Sequence, residues 1–202
     1  MGRPRTVNVE HIVEAAARVF ERRGYADATI ADIAAEAQVS KPTVYQYVES
    51  KQRLLEIIVE RVIHLLRDGI DKVTQAPGEA HEKLDAYVRV HVDSATRYKV
   101  YYLVLLADRQ QLSTRGQRNY QAWAREVNLA AEQLLEDGIS AGVVRADIDI
   151  PTAANLLNST LNSIARWYRP GDRLDVAQIH DEVMKFLSGM ILIPGSGQPA
   201  RP

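Results

Sequence analysis

Residues 29–48 read TIADIAAEAQVSKPTVYQYV, and two short helices joined by a tight turn account for the pattern. Thr29 followed by Asp32 forms a capping-box variant, after which Ile30, Ile33, Ala34 and Ala37 recur at i, i+3, i+4 and i+7. Gln38, Val39 and Ser40 interrupt that helix. Ser40 then caps a second one with Pro42 in its first turn, where a missing N–H costs nothing. Val44 and Val48 give the second helix an apolar inner side, and Lys41, Thr43, Gln46 and Tyr47 stand on its outer side.

The same punctuation continues in both directions. Upstream, Asn8 caps a helix to Arg23 with Ile12, Ala16, Val19 and Phe20 on one stripe; Gly24 ends it, and Tyr25 can fold back onto the stripe. Downstream, Ser50 caps a long helix that Pro77-Gly78 stops near Gln75. Further helices are expected over about 79–97, 99–111, 115–141, 151–169 and 174–191. Asp149 and Pro151 open one of these, and Pro170-Gly171 separates the last two. Strand-like alternation is scarce, so the chain is expected to be all-α with about nine helices. Residues 194–202, rich in Pro, Gly and Ser, are expected to form a disordered tail.

Composition narrows the function. Of 202 residues 46% are hydrophobic and 25% charged, an ordinary globular balance that points to neither disorder nor a membrane protein. No apolar run approaches the roughly 18 residues of a spanning helix, and no signal-peptide core opens the chain, so a cytoplasmic location with no membrane partner is expected. Cysteine is absent, which removes disulfides and thiolate chemistry. No Gly-rich phosphate loop, G-x-S-x-G elbow or H-E-x-x-H occurs, and His11, His64, His81, His91 and His180 lack metal-ligand spacing. The reading is therefore a non-enzyme with no catalytic residues, metal or cofactor. A helical adaptor without DNA binding is the other class to weigh. The formal net charge of -1 rules out bulk attraction to nucleic acid, so any such contact depends on where charges sit.

The helix pair has the dimensions of a DNA-reading helix-turn-helix. Gln46 can pair with adenine in the major groove, while hydroxyls and Lys41 grip backbone oxygens, and N–H groups at Thr29 offer a further phosphate site. Packed helical pairs are common in all-α proteins, so the wider run matters. Residues 15–60, AAARVFERRGYADATIADIAAEAQVSKPTVYQYVESKQRLLEIIVE, closely resemble the N-terminal domain of the TetR family of transcriptional repressors. Phe20, Gly24, Thr29, Ile33, Ala34, Val39, Ser40, Thr43, Tyr45, Tyr47, Lys51 and Leu54 carry the likeness. It implies a three-helix DNA-binding domain at 1–50 and a larger helical ligand-binding and dimerisation domain at 51–193. It also implies a homodimer on palindromic operator DNA. By position, Thr29, Lys41, Thr43, Tyr45, Gln46, Tyr47 and Lys51 become the expected DNA contacts. Arg3 and Arg5 could add a flexible arm along the minor groove or phosphates. Two residues depart from the family: Gln38 replaces a turn glycine, straining the turn if φ is positive there, and Val48 replaces a usual Phe. Arg18, Arg22 and Arg23, beside Glu10, Glu14 and Glu21, are expected on a solvated face.

Beyond Pro77 the chemistry changes. Tyr87, Tyr98, Tyr101, Tyr102, Tyr120, Trp123, Trp167 and Tyr168 suit either a ligand cavity or a bundle core. Asp108 and Arg109, after the apolar run to Leu106, are expected to form a helix-end ion pair or to anchor a polar ligand group. Asn155, Asn158, Asn162 and Arg166 share one helix face that looks toward a cavity, a partner or water. Leu156, Leu157, Leu161 and Ile164, with Val183, Phe186, Leu187, Met190 and Ile191, would by the resemblance form the dimer interface. Residues 163–174, SIARWYRPGDRL, resemble a TetR branch that responds to coenzyme A thioesters from fatty-acid and sterol-side-chain breakdown. The implied effector is an acyl-CoA, with an apolar or cationic compound of the multidrug type as the alternative. The candidate effector residues are Tyr87, His91, Tyr102, Leu106 and Arg109, together with Trp123, Asn158, Asn162, Arg166 and Trp167.

Overall fold

The computed structural model describes residues 8–171 and 173–193, and among these every regular element is helical. Nine α-helices run in order among them: α1 Val9–Asp27, α2 Ile30–Glu36, α3 Lys41–Tyr47, α4 Lys51–Gln75, α5 Ala80–Arg97, α6 Lys99–Asp108, α7 Thr114–Ser140, α8 Ile150–Trp167 and α9 Val176–Met190. The expected boundaries hold to within a few residues. One expected helix, 99–111, ends instead in a 3₁₀ turn at Arg109–Gln111. Arg3, Arg5 and the expected 194–202 tail lie outside the described residues.

The chain divides into two compact units. One takes the residues through Ile63 together with Val100–Tyr120; the other takes His64–Lys99 and the residues from Gln121 onward. In the first, α1 packs on α2 and α3, and α2 packs on α3. Ile12, Phe20, Ile33, Val44 and Leu54 are fully enclosed at their junction. Asn8 caps α1 as expected, accepting from the His11 amide at 2.9 Å. Gly24 breaks the helical path at φ 75°, and Tyr25 folds back edge-on to Phe20, with ring centroids 5.3 Å apart.

The arginines of α1 have other partners than their sequence neighbours. Arg18 and Arg22 grip the Glu36 carboxylate at 2.7 Å each, and Arg23 reaches Asp32 at 3.1 Å. Glu10 pairs with Arg61. The face is in solvent as expected, and its arginines also fasten α1 to α2, because α2 lies across α1 and offers its acids to the same side. The hydrogen bonds from Arg22, then Arg18, hold the Glu36 carboxyl below the usual range.

In the second unit α5 packs on both α8 and α9. Gly69 lets α4 approach α5: a Cβ there would meet Val90 Cγ1 at 2.6 Å. After α9, the Ile193 amide donates to Val143 O and the Arg145 amide to Ile191 O, forming one bridge that pins the chain beside the α7–α8 turn.

Candidate nucleic-acid interface

The interface begins with the caps that place α3. Thr29 Oγ1 accepts the Asp32 amide at 3.2 Å while the Thr29 amide donates to Asp32 Oδ2 at 3.0 Å, closing the capping box. The Thr29 hydroxyl also donates to Asp32 at 2.7 Å, and these bonds hold that carboxyl below its ordinary range. Gln38 then turns the chain at φ 57°. The departure from glycine therefore does sit in the left-handed region, at a cost of about 1–2 kcal/mol for a residue with a Cβ. Ser40 caps α3 through the Thr43 amide, and its hydroxyl pairs with that of Thr43 at 2.8 Å.

Sidedness on α3 follows. Val44 and Val48 are buried, so the smaller Val48 still plugs the core. Lys41 and Gln46 are exposed, Tyr45 is 54% exposed and Tyr47 40%. Large aromatic rings kept in solvent beside a lysine and an amide make a surface suited to base edges and phosphates.

Lys51 is placed differently. Its ammonium donates to the carbonyls of Tyr25 at 2.7 Å, Ala28 at 2.8 Å and Ala26 at 3.3 Å, and lies 4.3 Å from the Tyr25 ring centroid. All three N–H donors are engaged on the α1–α2 turn. The reason is local: Gly24 redirects the chain, leaving the last carbonyls of α1 and that of Ala28 without helical partners, and Lys51 at the start of α4 supplies the donors. From the other side the Tyr25 amide donates to Asp108 Oδ2 at 3.3 Å. Burial raises the Asp108 carboxyl, while the Tyr25 N–H and the Lys51 charge pull it back.

The expected Asp108–Arg109 ion pair is not formed. Asp108 turns to Tyr25, and Arg109 donates to Leu106 O at 2.9 Å, closing the end of its own helix. Ser113 Oγ donates to Glu56 at 2.5 Å and Gln52 to Gln111 O at 3.4 Å. The stretch 108–113 therefore braces the helix-turn-helix within the first unit. Sequence reasoning missed this brace, for Tyr25 and Asp108 are 83 positions apart with no pattern linking them.

The effector candidates divide between the units. Tyr102, Leu106 and Arg109 belong to the first; Tyr87, His91, Trp123, Asn158, Asn162, Arg166 and Trp167 belong to the second. Tyr87 and Trp123 are buried in the second, and Tyr102 in the first. Two asparagines of the row, Asn155 and Asn158, belong to a relay that runs from the interior to the surface. Tyr87 Oη donates to Asn158 Oδ1 at 2.6 Å, Asn158 Nδ2 to Asn128 Oδ1 at 2.7 Å, and Asn128 Nδ2 to Asn155 Oδ1 at 2.9 Å. Asn155 closes the relay on Pro151 O at 2.8 Å. Burial raises the Tyr87 phenol well above its ordinary value. Asn162 is half-buried, whereas Arg166 and Trp167 lie in solvent at the end of α8, Trp167 52% exposed.

His91 differs from its neighbours. It is buried against Tyr87, ring centroids 4.7 Å apart, and neither ring nitrogen has a hydrogen-bond partner. Burial alone pushes its pKa from 6.5 down to about 4. α5 turns this position inward with Leu84, Tyr87 and Val88.

Of the expected dimer-face residues, Leu157, Leu161, Ile164, Val183 and Leu187 are buried within the protomer. Leu156, Phe186 and Met190 remain exposed and line a groove of about 240 Å³ with Ile148, Thr152 and Thr160. Among the described residues, no helix is long and apolar enough to cross a membrane, and no cluster of acids and histidines could hold a metal.

Comparison with known proteins agrees with this anatomy. Residues 12–58 match the family described as bacterial regulatory proteins, tetR family, and residues 77–191 match the tetracyclin repressor-like C-terminal domain. The chain is similar to the HTH-type transcriptional repressor KstR2 of Mycobacterium tuberculosis, 27% identical with 91% of this chain and 92% of the relative covered. Likeness to KstR2 of Mycolicibacterium smegmatis is 24% over 90% and 89%. In fold it resembles the structure of ketosteroid transcriptional regulator KstR2 of M. tuberculosis, with TM-score 0.87, 21% identity and 93% and 97% of the two chains covered. AibR, solved in complex with isovaleryl coenzyme A and operator DNA, superposes with TM-score 0.77 at 22% identity, over 88% and 96%.

Proposed function

The chain belongs to the TetR family of bacterial transcriptional regulators, which are not enzymes, and we propose that two copies of it grip a palindromic operator until a small molecule releases them. Residues 1–50 are the reading domain and 51–193 the effector and dimerisation domain, working in the cytoplasm. In each copy α3 enters the major groove. Gln46 and Tyr45 meet base edges; Lys41, Thr43, Tyr47 and the Thr29 end of α2 meet phosphates. Lys51 acts by positioning α2 and α3. The observation that carries this reading is the two-sidedness of α3: valines locked inside, and lysine, glutamine and tyrosines held in solvent.

The groove lined by Leu156, Phe186 and Met190 takes the same face of the second copy. The effector is an acyl-CoA thioester, supported by the isovaleryl coenzyme A in AibR and by Arg166 and Trp167 at the exposed end of α8. Arginine suits its phosphates and an indole can stack on its adenine. Release requires that the effector prefer the arrangement unable to bind DNA; a 100-fold preference supplies about 2.7 kcal/mol. A mobility-shift assay on the DNA upstream of its own gene tests the reading. A discrete saturable complex, dissolved by isovaleryl-CoA or longer acyl-CoAs and less so in Arg166→Ala, is expected. Absence of any complex at micromolar protein and low salt refutes DNA regulation; a complex insensitive to all acyl-CoAs refutes the effector class.

A further inference from the structure

The interior of the second unit is almost completely satisfied. The Tyr87–Asn158–Asn128–Asn155 relay uses one N–H of each amide and ends on a backbone carbonyl, with Tyr87 Oη also 3.4 Å from Val127 O. His91 sits against the head of that relay and takes no part in it. A neutral imidazole offers one N–H and one lone pair, and burying both without partners is costly. Among the described residues no aspartate or glutamate is buried, so no carboxylate stands ready there for a cation.

We propose that His91 is the polar anchor for the apolar part of the effector, which it selects through a neutral alcohol or carbonyl oxygen. The proposal rests on the reading of the chain as an effector-controlled regulator and specifies the chemistry its effector must carry. An alcohol can meet either nitrogen, its oxygen accepting the N–H or its O–H donating to the bare nitrogen; a carbonyl can only accept the N–H. A hydrocarbon leaves both unmet, and a lipophilic cation meets no opposite charge. Since burial keeps the ring neutral down to about pH 4, the anchor presents the same donor and acceptor across the physiological range. The Tyr87 ring fixes its plane, so position as well as polarity is selected.

The test uses the full chain and shape-matched probes: cyclohexanol, cyclohexanone, methylcyclohexane and tetraphenylphosphonium. Imidazole ¹⁵N resonances are followed in titrations, with His91 assigned by its loss in His91→Phe. Cyclohexanol and cyclohexanone should move the His91 nitrogens and bind roughly tenfold more tightly than methylcyclohexane. His91→Phe should reverse that order while still melting cooperatively; should it not fold, His91→Asn must retain binding of the alcohol. Unmoved His91 resonances with every probe overturn the proposal, and so does an equal response to methylcyclohexane or to the cation. Operator binding is measured separately on the same samples. If wild-type protein fails to bind its operator, the regulator reading falls; if it binds and His91 is silent, only this anchor falls.

Discussion

Acidification should weaken the fold through one residue, and the size of the loss can be worked out. His91 has a pKa of about 4 in the folded chain against 6.5 for a solvated imidazole, and desolvation is the cause. Between those values the unfolded chain holds a proton that the folded chain refuses, so stability falls as pH drops through 6.5 and levels off below 4. The contribution is about 2 kcal/mol lost by pH 5 and about 3 kcal/mol by pH 4, relative to pH 8. Urea unfolding of wild type and His91→Phe at fixed protein concentration isolates it. Phenylalanine keeps a ring against Tyr87 and cannot titrate, whereas the other histidines and carboxylates remain in both proteins. Wild type should lose about 2 kcal/mol more than the variant between pH 8 and pH 5. Equal losses, within roughly half a kcal/mol, would refute the claim that this imidazole is buried neutral and unpaired.

Four other outcomes are expected. Lys51→Met should destabilise the first unit by about 2–4 kcal/mol while leaving the salt dependence of operator binding unchanged; a smaller salt slope at unchanged melting temperature would make Lys51 a phosphate contact after all. Lys41→Ala should lower the magnitude of that slope by about 1 per half-site with the melting curve intact. Gln38→Gly should stabilise by about 0.5 kcal/mol, as the relief of left-handed strain slightly exceeds the added freedom of the unfolded chain, and Gln38→Val should destabilise, both read by thermal unfolding. Gly69→Ala should cost about 1–3 kcal/mol by forcing α4 away from Val90, seen as a lower urea midpoint.

Local chemistry was legible in the sequence, and tertiary partnership was not. The Thr29–Asp32 box, the Ser40 cap, the fold-back of Tyr25 and the strain at Gln38 each depend on residues within a few positions of one another, and each takes the form expected. The asparagines of α8 share a face by helical spacing, but spacing does not reveal what covers that face. Tyr87 and Asn128 meet Asn158, and Asn128 also meets Asn155, while Asn162 stands apart from these bonds. Arg18, Arg22 and Lys51 likewise show charge without direction. Their partners depend on how α2 crosses α1 and where Gly24 sends the chain, which no short-range pattern encodes. His91 was named in the sequence as an effector candidate, but no short-range pattern shows that both its ring nitrogens are buried without partners.

The brace on the α1–α2 turn bears on how regulation can work at all. On the proposed reading, the seven-residue α3 offers few contacts, so one copy would bind DNA weakly and affinity would depend on two copies engaging together. Their separation must match about one turn of the duplex, roughly 34 Å. A small change in spacing can release DNA only if each helix-turn-helix moves as a body; were the turn soft, α3 would stay in its groove while the linkage yielded. Lys51 on three carbonyls and Asp108 on the Tyr25 amide stiffen that joint from α4 and from the end of α6. Asp108→Ala should accordingly bind operator near normally yet need more effector for release, since motion of either helix would dissipate in the turn. An unchanged effector midpoint in that variant would show that the brace serves folding alone.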